Sequence, residues 1–245
     1  NYSRHSRAIS ILASLMKLSI IIPAYNEEKT IASVLDKVLA QNFGEWCKEI
    51  IVVNDCSRDK TGDVARSYLD KIRYIEHEKN LGKGSAIKTG LTAATGDAVI
   101  AQDADLEYDP ADIKLLLDEF DKKTADVIYG SRNLHPERRG YSLYVLGSKL
   151  LDTLINLFFW TNLTDAYTCY KLFPIEILKR INIQSSGFEM EMELTVKTLK
   201  MGYKIKEVPI HYYPRKFSEC KKIRARDGFK VFWTLLKYFL RGRTS

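Results

Sequence analysis

Apolar runs of strand length recur along the first half of the chain and alternate with segments of helical pattern. Each run is short enough for one buried strand and is followed by polar or turn-forming residues. Strands that alternate with helices are typical of βαβ units. The pattern predicts five strands, over residues 18–23, 49–55, 72–77, 98–102 and 126–131.

The segments between these runs carry apolar residues at the three-to-four spacing of amphipathic helices. Repeated βαβ units predict an α/β fold with a mostly parallel sheet, covered by helices on both faces. In such a sheet, ligands bind beyond the carboxyl ends of the strands. Two helices follow most directly from the spacing, one from Ile31, Val34, Leu35, Val38 and Leu39, and one from Ile113, Leu116, Leu117 and Phe120.

Charged residues follow the predicted strands at this ligand-binding edge. Asp103, Ala104 and Asp105 end the fourth strand, and Glu107 comes two residues later. Two ionised carboxylates ~4 Å apart repel by about 4 kcal/mol at an effective dielectric near 20, so the cluster favours a divalent cation. Taken alone, the triplet also fits an acidic, solvated strand end. The other strand ends supply Tyr25, Glu27, Asp55, residues 80–84 and Arg132.

Glycines near the third strand do not form a known phosphate loop. Gly82, Lys83 and Gly84 lack the third glycine of a dinucleotide fingerprint and the spacing of a Walker loop. A nucleotide site here would therefore consist of strand-end side chains and a metal. For Asp55 considered singly, a role as a turn residue is an equal alternative to ligand contact.

Composition fits one globular α/β domain with an excess of positive charge. Of 245 residues, 45% are apolar and 28% are charged, which excludes a disordered chain. The four cysteines show no zinc-ligand spacing and no disulfide framework, so a reducing compartment is expected. Residues 1–16 lack the pattern of a signal peptide, and we expect them to be a leader or an expression remnant.

Five stretches, taken in order, resemble the inverting family-2 glycosyltransferases of GT-A fold. They read IIIPAYNEE over 20–28, VNDCSRDKT over 53–61, GKG over 82–84, DAD over 103–105 and GSR over 130–132. The resemblance covers nearly everything after Met16. It is closest to the dolichyl- or polyprenyl-phosphate mannosyl or glucosyl synthases. Their later segments resemble TDAYTCYK over 164–171, GFEME over 187–191, EVPI over 207–210 and ECKKI over 219–223.

The resemblance implies roles for individual residues. Pro23, Tyr25, Glu27 and Asp55 would hold the base and ribose of a nucleotide-sugar, and Asp103 would face its sugar. Asp105 and Glu107 would ligate Mg²⁺ or Mn²⁺. Cys56 and Cys220 stand where the family usually has glycine. The implied catalytic set is Asp103, Asp105, Arg132 and Lys221, and the donor-binding set adds Val53, Lys83, Ala104 and Arg215, with Arg132, Arg215 and Lys221 gathering the diphosphate and the acceptor phosphate.

Two amphipathic stretches in the second half indicate contact with a membrane surface. Residues 143–160 are apolar with polar residues at helical spacing, and residues 227–245 place Lys230, Thr234, Lys237 and Arg241 opposite Phe229, Phe232, Trp233, Leu236 and Phe239. Between 214 and 243, ten basic residues face two acidic ones, a net charge of +8. Anionic lipid is the expected partner and nucleic acid is not, since no binding motif is found. Packing on the sheet is the alternative for each stretch.

The predicted reaction moves a hexose from a GDP-mannose- or UDP-glucose-type donor to a polyprenyl or dolichyl phosphate, with a divalent metal and inversion at the anomeric carbon. A phosphate acceptor is already ionised and needs no general base. Transfer to a sugar hydroxyl is an alternative, and it would need a base such as Glu189 or Glu191. A second alternative is a non-catalytic nucleotide-sugar-binding subunit. We expect a glycosyltransferase domain over 17–226 on the cytosolic face of a membrane, with a membrane-protein partner or self-association left open.

Overall fold

The computed structural model describes residues 16–136, 142–215 and 225–240. Strands and helices alternate through the first half of these ranges, as the sequence predicts. The strands are β1 (Lys17–Ala24), β2 (Cys47–Asn54), β3 (Arg73–Glu76), β4 (Ala98–Ala101), β5 (Val127–Ser131), β6 (Lys171–Pro174) and β7 (Ile205–Pro209). The helices are α1 (Ile31–Ala40), α2 (Thr61–Arg66), α3 (Lys83–Ala93), α4 (Ile113–Phe120), α5 (Ser142–Phe159), α6 (Ile175–Ile181), α7 (Met190–Lys200) and α8 (Ala225–Leu240).

All seven strands form one sheet in the order β3-β2-β1-β4-β6-β5-β7. The first four strands of this order are parallel, and β7 is parallel to β5. Only β6 runs against its neighbours β4 and β5. The prediction of a mostly parallel α/β sheet is therefore confirmed. Because β6 is antiparallel to both β4 and β5, these two strands run in the same direction. The carboxyl ends of β1, β2, β4 and β5 therefore lie at the same edge of the sheet.

Helices cover both faces of the sheet. Along β1, Ile20 and Ile22 face the side covered by α1 and α4, while Ile21 faces α3 on the other side. Strands buried on both faces need apolar residues at every position, which explains the continuous apolar runs in the sequence. The loops beyond the strand ends are thus the accessible part of this edge.

The C-terminal helix α8 begins at Ala225 and packs against the folded body. Val231, Leu235 and Tyr238 on α8 form a third apolar cluster with side chains of α5 and α7. The predicted polar stripe is wrong at Thr234, which lies buried on this packed side. Periodicity finds an amphipathic face but does not decide which partner covers it.

Helices α5 and α8 nevertheless expose large apolar side chains on their outer sides. Phe158 of α5 stacks on Phe239 of α8 with ring centroids 4.2 Å apart, so the two helices adjoin. No helix in the described ranges has the length and apolarity needed to cross a membrane. The exposed set, which we call the outer apolar surface, consists of Leu150, Leu157, Trp160, Phe229, Phe232, Trp233 and Leu240.

Candidate active site

A cleft of about 620 Å³ opens at the edge where the parallel strands end. It collects side chains that are far apart in sequence. Val53, a residue of β2, does not line the cleft, because its side chain is fully buried in the core beside α3. Lys221, Cys220 and Arg241 lie outside the described residues. The predicted residues that do line the cleft are Pro23, Tyr25, Glu27, Asp55, Lys83, Asp103, Ala104, Asp105, Glu107, Arg132 and Arg215.

Three of the loops that carry these side chains turn through left-handed backbone. Asn26, Cys56 and Leu106 have φ angles of 50°, 58° and 63°. Such conformations are costly for residues other than glycine and persist where the surrounding structure enforces them. Cys56 therefore adopts a left-handed conformation that glycine would take up more readily. Leu106 places its neighbours Asp105 and Glu107 on one bend.

Asp55 organises the loop between β3 and α3. Its Oδ1 accepts hydrogen bonds from the Leu81 amide at 2.8 Å and from His77 Nδ1 at 2.7 Å. Its Oδ2 accepts from the Gly82 amide at 2.7 Å. Because this carboxylate is 3% exposed and holds three donors, it shapes the cleft wall as well as facing the cleft.

Buried ion pairs connect the inner wall of the cleft to the protein interior. Lys83 Nζ lies 2.7 Å from Asp103 Oδ1 and 3.4 Å from Glu191 Oε1. Glu191 Oε2 pairs in turn with Lys171 Nζ at 2.8 Å. The pKa of Lys171 lies below its usual value, because the effect of burial outweighs the opposing effect of the Glu191 charge. Positive and negative groups therefore alternate from the cleft into the buried interior, in a set that we call the charge chain: Asp103, Lys83, Glu191 and Lys171.

Asp105 is a carboxyl group of the cluster that is unfavourable as an anion. Burial raises its pKa to about 7, and the charges of Asp103 and Glu107 add to this effect, while Arg215 opposes it. Glu107 is better satisfied, since its oxygens accept from Tyr212 Oη and the Arg215 amide, each at 2.8 Å. An unrelieved cluster of this kind favours a cation.

The chemistry of these groups fits a divalent ion of the Mg²⁺ or Mn²⁺ type. Both Asp105 and Glu107 offer oxygen ligands, which hard cations prefer. In the described part of the chain no group of three or more His, Cys, Asp or Glu residues is arranged to hold a metal. In magnesium sites one or two carboxylates suffice, and substrate phosphates and water complete the shell.

Two arginines line the cleft and differ in their attachments. Arg132 donates to Asp165 through Nε and Nη2, both at 2.7 Å, and lies 5.1 Å from the Tyr212 ring. Arg215 pairs with Glu27, its Nη2 being 2.6 Å from Oε2, and its Nε donates to the Asp105 carbonyl at 2.9 Å. Arg215 is thereby fixed beside the carboxylate cluster, and Arg132 is fixed beside Asp165 and Tyr212.

Several lining residues were not among the sequence-predicted donor or metal residues. Tyr167 and Cys169 lie within the 164–171 segment, and Phe188 and Glu191 within 187–191, so the motifs marked their neighbourhood without their roles. Nothing in the sequence indicated that Tyr108 lines the cleft, because a single aromatic residue after the acidic cluster belongs to no recognisable motif. Glu189 does not line the cleft, and its Oε1 accepts from the Gly187 amide instead.

Comparisons with known proteins agree with this architecture. A dolichyl-phosphate beta-glucosyltransferase of Trichomonas vaginalis is 31% identical over 80% of this chain and 65% of its own length. A dodecaprenyl-phosphate galacturonate synthase of Rhizobium johnstonii is 26% identical over 92% of this chain and 68% of its own. The chain thus spans about two thirds of the length of each.

Among solved structures, glucosyl-3-phosphoglycerate synthase of Mycobacterium tuberculosis, in complex with Mn²⁺, UDP and phosphoglyceric acid, superposes with a TM-score of 0.72. It is 21% identical, with 96% of this chain and 82% of that one covered, and the likeness establishes a shared GT-A-type fold. The family model for glycosyl transferase family 2 matches residues 19–181, which is well over half of the chain and includes most of the cleft. The protein belongs to glycosyl transferase family 2 and is a glycosyltransferase.

Proposed function

We propose that the protein transfers a hexose from a nucleotide-sugar to a polyprenyl phosphate, in a reaction that requires Mg²⁺ or Mn²⁺. The observation that carries this proposal is the meeting of Asp103, Asp105, Arg132 and Arg215 in one cleft of a family-2 enzyme. A polyprenyl-phosphate oxygen forms the new bond to the anomeric carbon as the bond to the nucleoside diphosphate breaks. The two named relatives that act on lipid phosphates support this choice of acceptor.

We assign donor binding to the cleft residues that follow the parallel strands. Pro23, Tyr25, Glu27 and Asp55 would contact the base and ribose, at the ends of β1 and β2. Asp105 and Glu107 would hold the metal, which would stabilise negative charge on the leaving diphosphate. Arg132 contributes a charge whose two bonds to Asp165 fix it in place.

The surroundings of Glu191 favour a phosphate acceptor over a sugar hydroxyl. A hydroxyl acceptor needs a base that takes up its proton near the reacting carbon. Glu191 lines the cleft, but it lies between two ammonium groups, Lys171 at 2.8 Å and Lys83 at 3.4 Å, and Glu189 does not line the cleft. A phosphate needs no such base, because it is ionised near neutral pH. Lys221 is proposed to contact that phosphate.

Nucleoside diphosphate release tests the acceptor. With a nucleotide-sugar and Mn²⁺, a short polyprenyl phosphate should raise the release rate at least tenfold over donor hydrolysis, while the corresponding polyprenol should not. Chelation should abolish the stimulated rate. Stimulation by sugar hydroxyls, with polyprenyl phosphate inert, would instead favour the alternative acceptor.

We also propose that the outer apolar surface rests on an anionic membrane, which would bring the lipid acceptor to the cleft. Phe229 and Trp233 are 73% and 61% exposed, and Trp160 is 92% exposed. Burying large apolar side chains contributes about 1.5–3 kcal/mol each, and each basic residue near an anionic surface about 1 kcal/mol. Of the five apolar residues that the sequence places on this face of α8, Leu236 and Phe239 are already partly covered by the protein. Phe229, Phe232 and Trp233 are exposed and would carry this role on α8.

Vesicle cosedimentation tests this attachment. Replacing both Phe232 and Trp233 with serine should release the protein from anionic vesicles at physiological ionic strength and leave nucleotide binding unchanged. Leu69→Ser is the matched control, since Leu69 is 57% exposed and belongs to neither helix. Equal partitioning of the double variant and the wild type would show that this surface meets something other than lipid.

A further inference from the structure

Lys171 lies behind the cleft and does not line it. Its side chain is 2% exposed, and its Nζ donates to the Glu191 carbonyl at 2.9 Å and to Glu191 Oε2 at 2.8 Å. The ring of Tyr129 lies 5.2 Å from the same nitrogen. A buried ammonium group is costly unless it is paired, so this position calls for a reason beyond filling space.

The distances in the charge chain suggest that reason. Lys83 Nζ is closer to Asp103, at 2.7 Å, than to Glu191, at 3.4 Å, although both carboxylates are within ion-pair range. Glu191 Oε1 has no hydrogen-bond partner in the described ranges. Because Lys171 neutralises Glu191 from the side away from the cleft, Lys83 is left to Asp103.

We propose that Lys171 is a positioning residue for donor-sugar binding, which it supports by keeping Lys83 paired with Asp103 instead of Glu191. This assignment rests on the proposed function and on the role that the family resemblance implies for Asp103, which is to face the transferred hexose. Without the charge of Lys171, one ammonium group serves two carboxylates, the buried Glu191 and the partly exposed Asp103. Lys83 is then drawn toward Glu191, and Asp103 loses the contact that fixes its orientation.

The test compares nucleoside diphosphate with nucleotide-hexose. Isothermal titration with Mg²⁺ measures Kd for UDP and UDP-glucose and for GDP and GDP-mannose, and the ratio within the pair that the wild type binds is the hexose contribution. Lys171→Gln keeps a hydrogen-bonding group but removes the charge. It should reduce the hexose contribution about tenfold or more, as expected for loss of a charge-assisted contact, and leave Kd for the diphosphate unchanged.

Two further variants separate positioning from a structural role. Lys171→Arg retains the charge and should stay within threefold of the wild type. In a Glu191→Gln background, Lys83 has one carboxylate partner, so adding Lys171→Gln should no longer change the hexose contribution. The matched control is Lys197→Gln, which removes a partly buried lysine paired with Glu193 on the same helix, outside the cleft.

An unchanged hexose contribution in folded Lys171→Gln protein would overturn the assignment and leave the proposed function standing. So would a loss that persists undiminished in the Glu191→Gln background. If Lys171→Gln fails to fold, the comparison of Glu191→Gln with the double variant decides, and a difference above threefold counts against the assignment.

If the wild type binds the donor but does not use polyprenyl phosphate, the proposed acceptor fails and the assignment stands. If the wild type binds neither pair, both fail.

Discussion

Asp105→Asn should make the metal-free protein more stable while it removes activity. The pKa of Asp105 is raised from 3.8 to about 7, chiefly by burial and then by Asp103 and Glu107. A folded-state pKa above the unfolded one means that ionisation destabilises the folded form, so wild-type stability falls as pH rises from about 4 through 7. Three pKa units correspond to about 4 kcal/mol.

The asparagine variant cannot ionise and escapes this loss. Its free energy of unfolding without metal should exceed that of the wild type by about 4 kcal/mol at pH 8, and by less than ~1 kcal/mol near pH 4. Turnover should fall at least ~10²-fold, because the variant loses a metal ligand. Adding Mn²⁺ and nucleoside diphosphate should stabilise the wild type more than the variant.

Denaturant unfolding in chelator at pH 4, 6 and 8 measures these differences, and the transfer assay measures turnover. Asp118→Asn, on the exposed outer side of α4, is the control and should show little change with pH. A variant that is equally or less stable than the wild type at pH 8 would refute the electrostatic argument. Full activity in the variant would refute the metal assignment.

Other predictions concern the cleft walls. Arg132→Lys should lower kcat at least ~10-fold, because lysine cannot reproduce the two-point pairing with Asp165, whereas Arg66→Lys at an exposed ion pair should not. Gly82→Ala should destabilise by at least about 2 kcal/mol, since φ is +91° and a Cβ would lie 2.5 Å from the Ser186 carbonyl oxygen. Gly202→Ala, also at positive φ but with open space around it, should cost about 1 kcal/mol. Thermal unfolding that ranks the two glycine variants equally would contradict the steric part of this argument.

Much of the fold was predictable because the buried parallel strands leave continuous apolar runs. Strands β6 and β7 were missed, since β6 is four residues long and begins with the buried charge of Lys171, and β7 reads IKEVP, which has neither a continuous apolar run nor regular alternation. Residues at the strand ends, such as Asp103 and Arg132, were found because topology alone brings them together. The link from Lys83 to Glu191 was not found, because it depends on how α7 packs beneath the cleft.

The most direct test of the central claim is the identity of the lipid product. Purified protein is incubated with Mn²⁺, a panel of nucleotide-sugars and a short polyprenyl phosphate, and the lipids are analysed by mass spectrometry. The account predicts one new species whose mass equals the polyprenyl phosphate plus one anhydrohexose, formed with one preferred donor and absent after chelation. A product on a sugar hydroxyl in a parallel reaction, with unchanged polyprenyl phosphate here, would contradict it.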